Sequence, residues 1–339
     1  MSFKITILLI ILAVIAGVVY FVNPFAKEED KAPASPWFYQ VSTDDMRGIS
    51  VTHFGETESF VEVPSGAWVF ESNGITPDHN RWAGVSFLLG GPQTRRDLSE
   101  TRILIEDPAE YGLDNPHTIV RITLTFDRTL EFRLGDTTTD GRHHYGQITG
   151  FPQLFLIVSA WGDVLSRLIE EPPIPRWYVQ RDIDSIVELN VYPASDNPSE
   201  DDSLLEFEKS DDGIWKVRDH LIEEEGRDVD LSRWNEVLPL LSRPEGVSVH
   251  VHRVDDNDYT EWGISEKSAG IEIRFEGMTE RGTLFTDGML ISIGDKSPDG
   301  MGYYAKSNED GYHHPVLLIP SEWVETLQGL YDNVPYAIQ

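Results

Sequence analysis

The chain has 339 residues, of which 40% are hydrophobic and 9 are tryptophan, so it can build substantial cores and is long enough for two domains. This composition excludes an intrinsically disordered protein. A formal net charge of −31 makes nucleic acid and anionic lipid headgroups poor partners, and the lack of cysteine excludes disulfides, thiolate metal sites and a thiol nucleophile.

The first predicted element is an apolar segment near the amino terminus. Residues 5–22 carry no charged side chain, and as a helix they would cover roughly 27 Å, close to the hydrocarbon thickness of a bilayer. The alternative is a cleaved signal peptide, but this run is longer than usual for one. It also ends in the bulky residues Tyr20, Phe21 and Val22, without a small-residue cleavage site. We therefore predict a retained transmembrane helix over 5–22.

Flanking charge predicts the orientation of this helix. Lys4 and the amino terminus precede it, whereas residues 27–31 after it sum to −1. The positive-inside rule then places residues 1–4 in the cytoplasm and the rest of the chain outside. We expect a single-pass membrane protein with its bulk in an extracytoplasmic space. In a bacterium, this location corresponds to the inner membrane, with the bulk of the protein in the periplasm. The proline-containing stretch 23–36 is typical of a linker.

Beyond the linker, the sequence contains an internal repeat. DHNRWAGVSFLLGGP begins at Asp78, and DLSRWNEVLPLLSRP begins at Asp230, 152 positions later. Four other blocks recur in the same order at offsets between 147 and 162, which indicates a tandem duplication with units over 37–175 and 176–339. The recurring positions are Trp68, Asp78, Arg81, Trp82, Gly112, Gly135, Asp136, Tyr145 and Trp161 in the first copy, and Trp215, Asp230, Arg233, Trp234, Gly263, Gly294, Asp295, Tyr304 and Trp323 in the second.

Each copy opens with short alternating segments that predict strands. These cover 49–54, 59–63 and 67–71 in the first copy, and 186–192, 204–208 and 214–218 in the second. A helix follows, with Asp78 or Asp230 as its N-cap. Pro239 predicts that the helix of the second copy bends or ends early.

The remaining predicted elements complete each copy. Strands are predicted over 102–105, 120–126, 130–134 and 143–148, and a closing helix is capped by Ser159 or Ser321. The predicted core face of that helix comprises Trp161, Val164, Leu165 and Leu168, or Trp323, Leu327, Leu330 and Tyr331. The fold class is therefore α+β, a tandem duplication of a curled, mostly antiparallel sheet with two helices. The repeated tryptophans are interpreted as core residues.

Several of these motifs together carry a family resemblance. They are the amino-terminal span, the strand 68–70, the paired leucines of the opening helix, the phrase DPAEYGLDNP at 107–116, the strand end 134–136, Tyr145 and the closing helix with Trp161. With them, the chain resembles domain-of-unknown-function family 4340, which is associated with gliding-motility-type ABC transport systems. The resemblance covers about 38–172 well and 177–335 more loosely. The second copy reads WGISEK at 262–267, without the aspartate and proline of the phrase.

The resemblance implies a membrane-tethered accessory subunit beside an ABC-2-type permease and its ATPase, outside the cytoplasm, and brings no catalytic residues or cofactor. Within the phrase, Gly112 is expected to permit a bend with positive φ, and Pro116 to start the next strand.

Candidate metal and catalytic patterns are weak. The pairs His143–His144 and His313–His314 do not correspond in the repeat, and adjacent strand residues point to opposite faces, so neither pair can chelate one ion. Residues 255–258 lack the spacing of a calcium loop and are interpreted as a solvated turn. The sequence shows neither a phosphate-binding glycine loop nor a G-x-S-x-G nucleophile motif.

We therefore expect a non-enzymatic interaction protein without cofactors or metal. The alternative is a binding protein that takes a sugar, peptide or polymer in the groove between the repeats, with Trp37, Trp177 and Tyr178 as exposed aromatics near the junction. A hydrolase based on scattered carboxylates is a weaker third hypothesis.

Overall fold

The computed structural model describes residues 38–92, 94–97, 104–195, 204–219, 226–278, 282–308 and 314–337. The predicted membrane helix 5–22, the linker 23–36 and Trp37 lie outside these residues. Within the described part of the chain, no helix is both long and apolar enough to cross a membrane. The boundary before Trp37 separates residues 1–36 from one compact unit that contains both predicted repeats.

The first half of this unit alternates short strands with turns. Along β5, for example, every second residue is buried, as expected for a strand with one face on the core. The strands are β1 (Met46–His53), β2 (Glu56–Glu62), β3 (Trp68–Phe70), β4 (Thr94–Asp97), β5 (Thr118–Leu124), β6 (Thr129–Thr137), β7 (His143–Ile148) and β8 (Phe155–Val158). The helices are α1 (His79–Trp82), α2 (Val85–Leu89) and α3 (Ser159–Glu170).

The second half contains the same kinds of elements. Its strands are β9 (Ile186–Tyr192), β10 (Leu205–Lys209), β11 (Trp215–Asp219), β12 (Arg227–Asp228), β13 (Ser248–Val251), β14 (Ala269–Met278), β15 (Leu284–Lys296), β16 (Gly302–Ser307) and β17 (Val316–Pro320). Its helices are α4 (Leu231–Val237) and α5 (Ser321–Asp332), and short 3₁₀ turns such as Leu238–Ser242 join the elements.

The strands form two antiparallel sheets, which makes the fold α+β. In the described residues, the first sheet has eight strands in the order β3-β2-β1-β5-β6-β7-β8-β4. The second has nine, in the order β12-β11-β10-β9-β14-β15-β16-β17-β13. Apart from the additional two-residue β12, the second order repeats the first strand by strand. In both sheets the strand after the opening helix, β4 or β13, reaches the far edge beside β8 or β17.

The opening helices begin as predicted and end for different reasons. The carboxylates of Asp78 and Asp230 accept hydrogen bonds from the main-chain N–H groups of Arg81 and Ser232, so both N-caps are confirmed. In the first half, Gly84 at φ +85° divides the helix into α1 and α2. In the second half, α4 ends at Val237 and continues as the 3₁₀ turn, which confirms the effect predicted for Pro239.

The serine caps predicted for the closing helices are wrong. Ser159 and Ser321 are the first residues of α3 and α5, and the N-cap positions are Val158 and Pro320, which form no side-chain cap. The reason is that β8 and β17 run directly into these helices, so a strand residue occupies each cap position. The core faces are confirmed at Trp161, Leu165, Leu168, Trp323, Leu327 and Leu330, which are buried, and Val164 and Tyr331 are half-buried.

Two predicted strands differ from the structure. The strand over 120–126 ends at Leu124, because Phe126 and Asp127 adopt φ +60° and +54° in the following turn. Of the strand over 102–105, residues 102–103 lie outside the described part, and Leu104 forms a single bridge to Gln153. Strands β4, β8 and β12 to β17 correspond to no residue range that was predicted from the sequence.

The connection between the halves is held against the second sheet. Trp177 is buried in a core cluster that joins apolar residues of both halves, including Phe132 and Phe207. The guanidinium groups of Arg176 and Arg181 both pair with Asp287 on β15, and the Arg176 Nε–Asp287 Oδ1 distance is 3.2 Å. The two sheets therefore share continuous packing in the described residues.

Candidate functional site

The repeated arginines connect the opening helix of each half to the end of its closing helix. Arg81 donates a hydrogen bond to the main-chain carbonyl of Glu171, directly after α3. Arg233 donates to the carbonyl of Asn333, directly after α5, at 2.7 Å. Carbonyls at a helix C-terminus lack partners within the helix, and a basic side chain can satisfy them. Arg81 and Arg233 are therefore structural residues.

The repeated tryptophans of the closing helices make a second matched contact. The indole Nε1 of Trp161 donates to the carbonyl of Leu88 at 3.1 Å, and that of Trp323 donates to the carbonyl of Leu240 at 2.8 Å. These leucines occupy corresponding places in the paired-leucine motif. In each half, this second hydrogen bond ties the closing helix to the paired-leucine segment, which lies in α2 in the first half and in the 3₁₀ turn Leu238–Ser242 in the second.

The repeated glycines mark a close approach of two backbone segments. Gly112 and Gly263 have φ +65° and +68°, which confirms the bend predicted at Gly112. A Cβ atom on Gly135 would lie 2.1 Å from the carbonyl oxygen of Tyr111. The equivalent atom on Gly294 would lie 2.2 Å from that of Trp262. Only glycine fits at these two strand positions, because Cβ atoms do not approach backbone that closely.

Four further repeat markers, two in each half, lie at the glycine turns of their own half. Asp136 and Asp295 lie against Gly112 and Gly263, where an added Cβ would meet their carboxylates. The rings of Tyr111 and Tyr145 meet edge to face at 5.1 Å, and Tyr304 packs against a small apolar cluster together with Trp262. The markers of these turns are therefore explained by folding contacts, which assign them no chemistry.

A cleft of 340 Å³ lies where the two halves meet. The first half contributes the start of β3 and the segment that contains α1 and α2. The second half contributes residues after β13, the end of β16 and the start of β17. The walls of the cleft include Trp68, Thr76, Asp78, His79, Trp82, Phe87, Trp177, His252, Arg253, Ser307 and His314. This is the groove that the binding hypothesis requires.

Two of the repeated tryptophans differ between the halves. In the second half, Trp215 and Trp234 are buried, with ring centroids 4.9 Å apart. Their counterparts Trp68 and Trp82 are half-buried, lie 5.7 Å apart and border the cleft. The interpretation of the repeated tryptophans as core is therefore confirmed for the second half and only partly correct for the first.

The predicted exposed aromatics at the junction need correction. Trp177 is only 2% exposed, because it packs into the shared core, although it forms part of the cleft wall. Tyr178 is half-buried, with the Arg243 guanidinium 5.2 Å from its ring centroid. Trp37 lies outside the described residues. The aromatic side chain that is well exposed at the cleft is Phe87, at 77%.

The polar side chains of the cleft include two unpaired hydroxyls. Ser307 is only 4% exposed, and neither its Oγ nor the Oγ1 of Thr76 has a hydrogen-bond partner within the described part of the chain. Arg253 is exposed and pairs with Asp255, Nε to Oδ1 2.6 Å. Buried hydroxyls are normally hydrogen-bonded, so these groups are candidates to bind a ligand.

Three histidines that the sequence analysis did not connect meet at one end of the first sheet. His53 ends β1, His117 precedes β5 and His144 lies on β7. The ring of His117 is 5.7 Å from that of His53 and 5.1 Å from that of His144. The Thr118 hydroxyl lies 2.8 Å from His53 Nδ1 and 2.7 Å from His117 Nδ1. Only strand pairing brings these positions together, so spacing in the sequence gave no signal.

The most buried of these imidazoles is His144. Neither of its ring nitrogens has a hydrogen-bond partner in the described residues, and Asp163 Oδ1 lies 4.0 Å from Nε2, too far for a hydrogen bond. A Cβ atom on Gly162 would lie 2.8 Å from Nε2, so this glycine leaves room for the ring. Burial lowers the pKa of both His117 and His144, and their mutual repulsion when protonated lowers that of His117 further.

In the described residues, no group of three His, Asp or Glu side chains is placed to hold a metal ion. His144 is buried whereas His143 is half-buried, and His313 lies outside the described part. In the turn 255–258, Asp258 accepts a hydrogen bond from the main chain of Thr260, as a solvated turn would.

No family model matches the chain, and neither a curated protein nor a solved structure matches it.

Proposed function

We propose that the protein is a membrane-tethered, non-enzymatic accessory subunit that acts outside the cytoplasm beside an ABC-2-type permease and its ATPase. The apolar segment 5–22 and the charges around it support the tether and its orientation. The resemblance of residues 38–172 to family 4340 supports the transport context.

We also infer that the two halves arose by duplication. The equal strand orders support this origin, as do the matched contacts of Arg81 with Arg233 and of Trp161 with Trp323. A duplicated, continuously packed body suits a scaffold that presents surfaces to partners.

The observation that favours a partner-binding role most directly is an exposed apolar patch, Met278, Leu284 and Phe285, beside the end of the hairpin of β14 and β15. Met278 and Leu284 face each other across the last described pair of this hairpin and are 74% and 63% exposed. Phe285, next to Leu284, is also exposed. Clustered apolar side chains in water are typical of a protein or membrane interaction site. We assign this apolar patch to the contact with the permease.

Co-purification tests the proposal. The tagged full-length protein is extracted in a mild detergent and captured, and the expected result is co-purification of one ABC permease and one ATPase in constant ratio. The double substitution Met278→Asp and Leu284→Asp should abolish that co-purification, because it places charges in the contact. Met301→Asp is the matched control, since Met301 is equally exposed at 74% in another turn. Capture of the protein alone, or equal loss in the control, would contradict the proposal.

A second candidate function is favoured by the cleft. We propose that the protein also serves as a binding protein, with a ligand held between the halves by the residues of the cleft. Its volume and its mixture of aromatic and polar walls are those of small-molecule sites.

A further inference from the structure

We propose that the cleft binds an acidic saccharide, a sugar or short oligosaccharide that carries a carboxylate. This inference rests on the binding function proposed above for the cleft and specifies the ligand class. It does not depend on the contact with a permease. Three features of the cleft carry it: its aromatic faces, its unpaired hydrogen-bonding groups and its charge.

The aromatic faces suit a flat ligand with an apolar side. Trp68 and Trp82 are half-buried, so part of each indole is open to the cleft, and Phe87 is largely exposed beside them. Ring faces of this kind carry a partial negative charge and attract polarised C–H groups. The C–H face of a pyranose ring matches them.

The hydrogen-bonding groups suit a ligand with several hydroxyls. Ser307 and Thr76 each offer an unpaired hydroxyl, and a hydroxyl both donates and accepts. The imidazoles of His79, His252 and His314 add ring nitrogens along the same walls. Sugar hydroxyls have the same dual character, so they can satisfy the two hydroxyls of Ser307 and Thr76, which otherwise remain without a partner in the described residues.

Charge distinguishes the cleft from the rest of the molecule. The whole chain has 58 acidic side chains against 27 Lys and Arg. On the same basis, the cleft has one arginine, Arg253, and one acidic side chain, Asp78, whose carboxylate caps α1. It therefore lacks the acidic excess of the rest of the chain. The pair of Arg253 with Asp255 is exposed, and such pairs contribute little. A ligand carboxylate can therefore take the place of Asp255 at the guanidinium.

Calorimetric titration of the full-length protein in detergent tests this inference. The probes are trigalacturonic acid, the neutral sugar maltotriose and the acidic peptide Glu-Glu-Glu. We expect trigalacturonic acid to bind at least about tenfold more tightly than maltotriose, which corresponds to about 1.4 kcal/mol. We expect no binding of the peptide at millimolar concentration, because it lacks the apolar ring faces.

Two surface variants locate the binding. Arg253→Gln should remove most of the preference for the acidic sugar over the neutral one. Phe87→Ala should lower the affinity for both sugars several-fold, because it removes a ring face and leaves the charge of the cleft unchanged. Both side chains are exposed, so these variants should fold. The matched controls are Arg142→Gln and Phe126→Ala, which are exposed outside the cleft and should bind like the parent protein.

Each of the other possible results contradicts a particular part of the inference. Equal binding of acidic and neutral sugar would exclude the role of charge, and binding of the peptide alone would exclude a saccharide while leaving the cleft a binding site. Absence of binding by all three probes would overturn the inference. None of these results affects co-purification with a permease, so failure of one proposal is separable from failure of the other.

Discussion

His144 is held in surroundings that favour its neutral form. Its ring is buried between His117 and Gly162, and the carboxylate of Asp163 is too distant to form a hydrogen bond with it. His53, by contrast, has Glu170 Oε1 3.3 Å from its Nε2. Protonation of His144 would therefore place a charge in a poorly solvated site beside two other imidazoles.

This arrangement predicts a loss of stability in mild acid. Burial lowers the pKa of His117 and His144 in the folded state, whereas a histidine in the unfolded chain has a pKa of about 6.5. As the pH falls below that value, the unfolded state therefore binds more protons than the folded state. Stability should be fully present above that pH and decline as pH falls below it. Thermal unfolding measures this effect. When the pH is lowered from 7.5 to 5.5, the melting temperature of His144→Gln should fall by less than that of the parent protein.

The neighbouring His143→Gln is the control for this comparison, because its side chain lies on the other face of β7. It should keep the pH dependence of the parent protein. Equal slopes for the parent and His144→Gln would show that this histidine is not responsible.

At the scale of elements, the hydrogen bond between closing and opening helices is the contact best suited to measurement. Replacing Trp323 by Phe keeps an aromatic ring but leaves the carbonyl of Leu240 without its donor. We expect Trp323→Phe to cost about 1–3 kcal/mol of unfolding free energy beyond the effect of the smaller ring. Urea unfolding followed by circular dichroism measures the difference.

Trp234→Phe provides the matched comparison. Trp234 is also buried, but its indole N–H has no hydrogen-bond partner in the described residues, so its replacement removes ring volume and no hydrogen bond. A loss in Trp323→Phe no larger than in Trp234→Phe would mean that the hydrogen bond contributes nothing to stability.

The elements also show what sequence reasoning could reach. Local signals sufficed for β7, whose predicted range 143–148 is that of the structure, and for the N-caps at Asp78 and Asp230. Local signals failed where the neighbouring element decides, as at Ser159, where a strand enters the helix without a loop. The short strand β8 was missed although Gly150 and Pro152 mark a turn before it, because its four apolar residues run without a break into the closing helix.

The candidate site was predictable only in outline. A groove between the repeats followed from the duplication, but its walls depend on which surfaces the halves turn toward each other. The sequence therefore predicted Trp177 as an exposed residue of the groove, although the shared core buries it. It gave no indication that Phe87 and Ser307 line the groove. The three histidines are separated by 64 and 27 positions along the chain, and only the pairing of β1, β5, β6 and β7 brings them together.

At the scale of the whole molecule, the excess of acidic side chains predicts a stability that rises with salt. Like charges on a surface with net −31 repel one another most in the compact state, and salt screens that repulsion. Between 0.05 and 1 M NaCl, we therefore expect the melting temperature to increase steadily with salt concentration.

KCl at the same ionic strengths is the control for effects specific to sodium, and it should give the same increase, because screening depends on ionic strength. A melting temperature that stays constant or falls with NaCl would show that repulsion between acidic groups does not limit stability.

The anchoring of residues 176–181 on Asp287 has a kinetic consequence. Many two-lobed receptors close around a ligand by bending at a flexible joint, and that movement limits how fast they load. Here the joint itself is immobilised by two arginines and the buried Trp177, so the lobes have no free pivot. Binding of the saccharide proposed for the cleft should then be a single bimolecular step whose observed rate grows linearly with its concentration. Its dissociation rate should be set by contacts within the cleft alone.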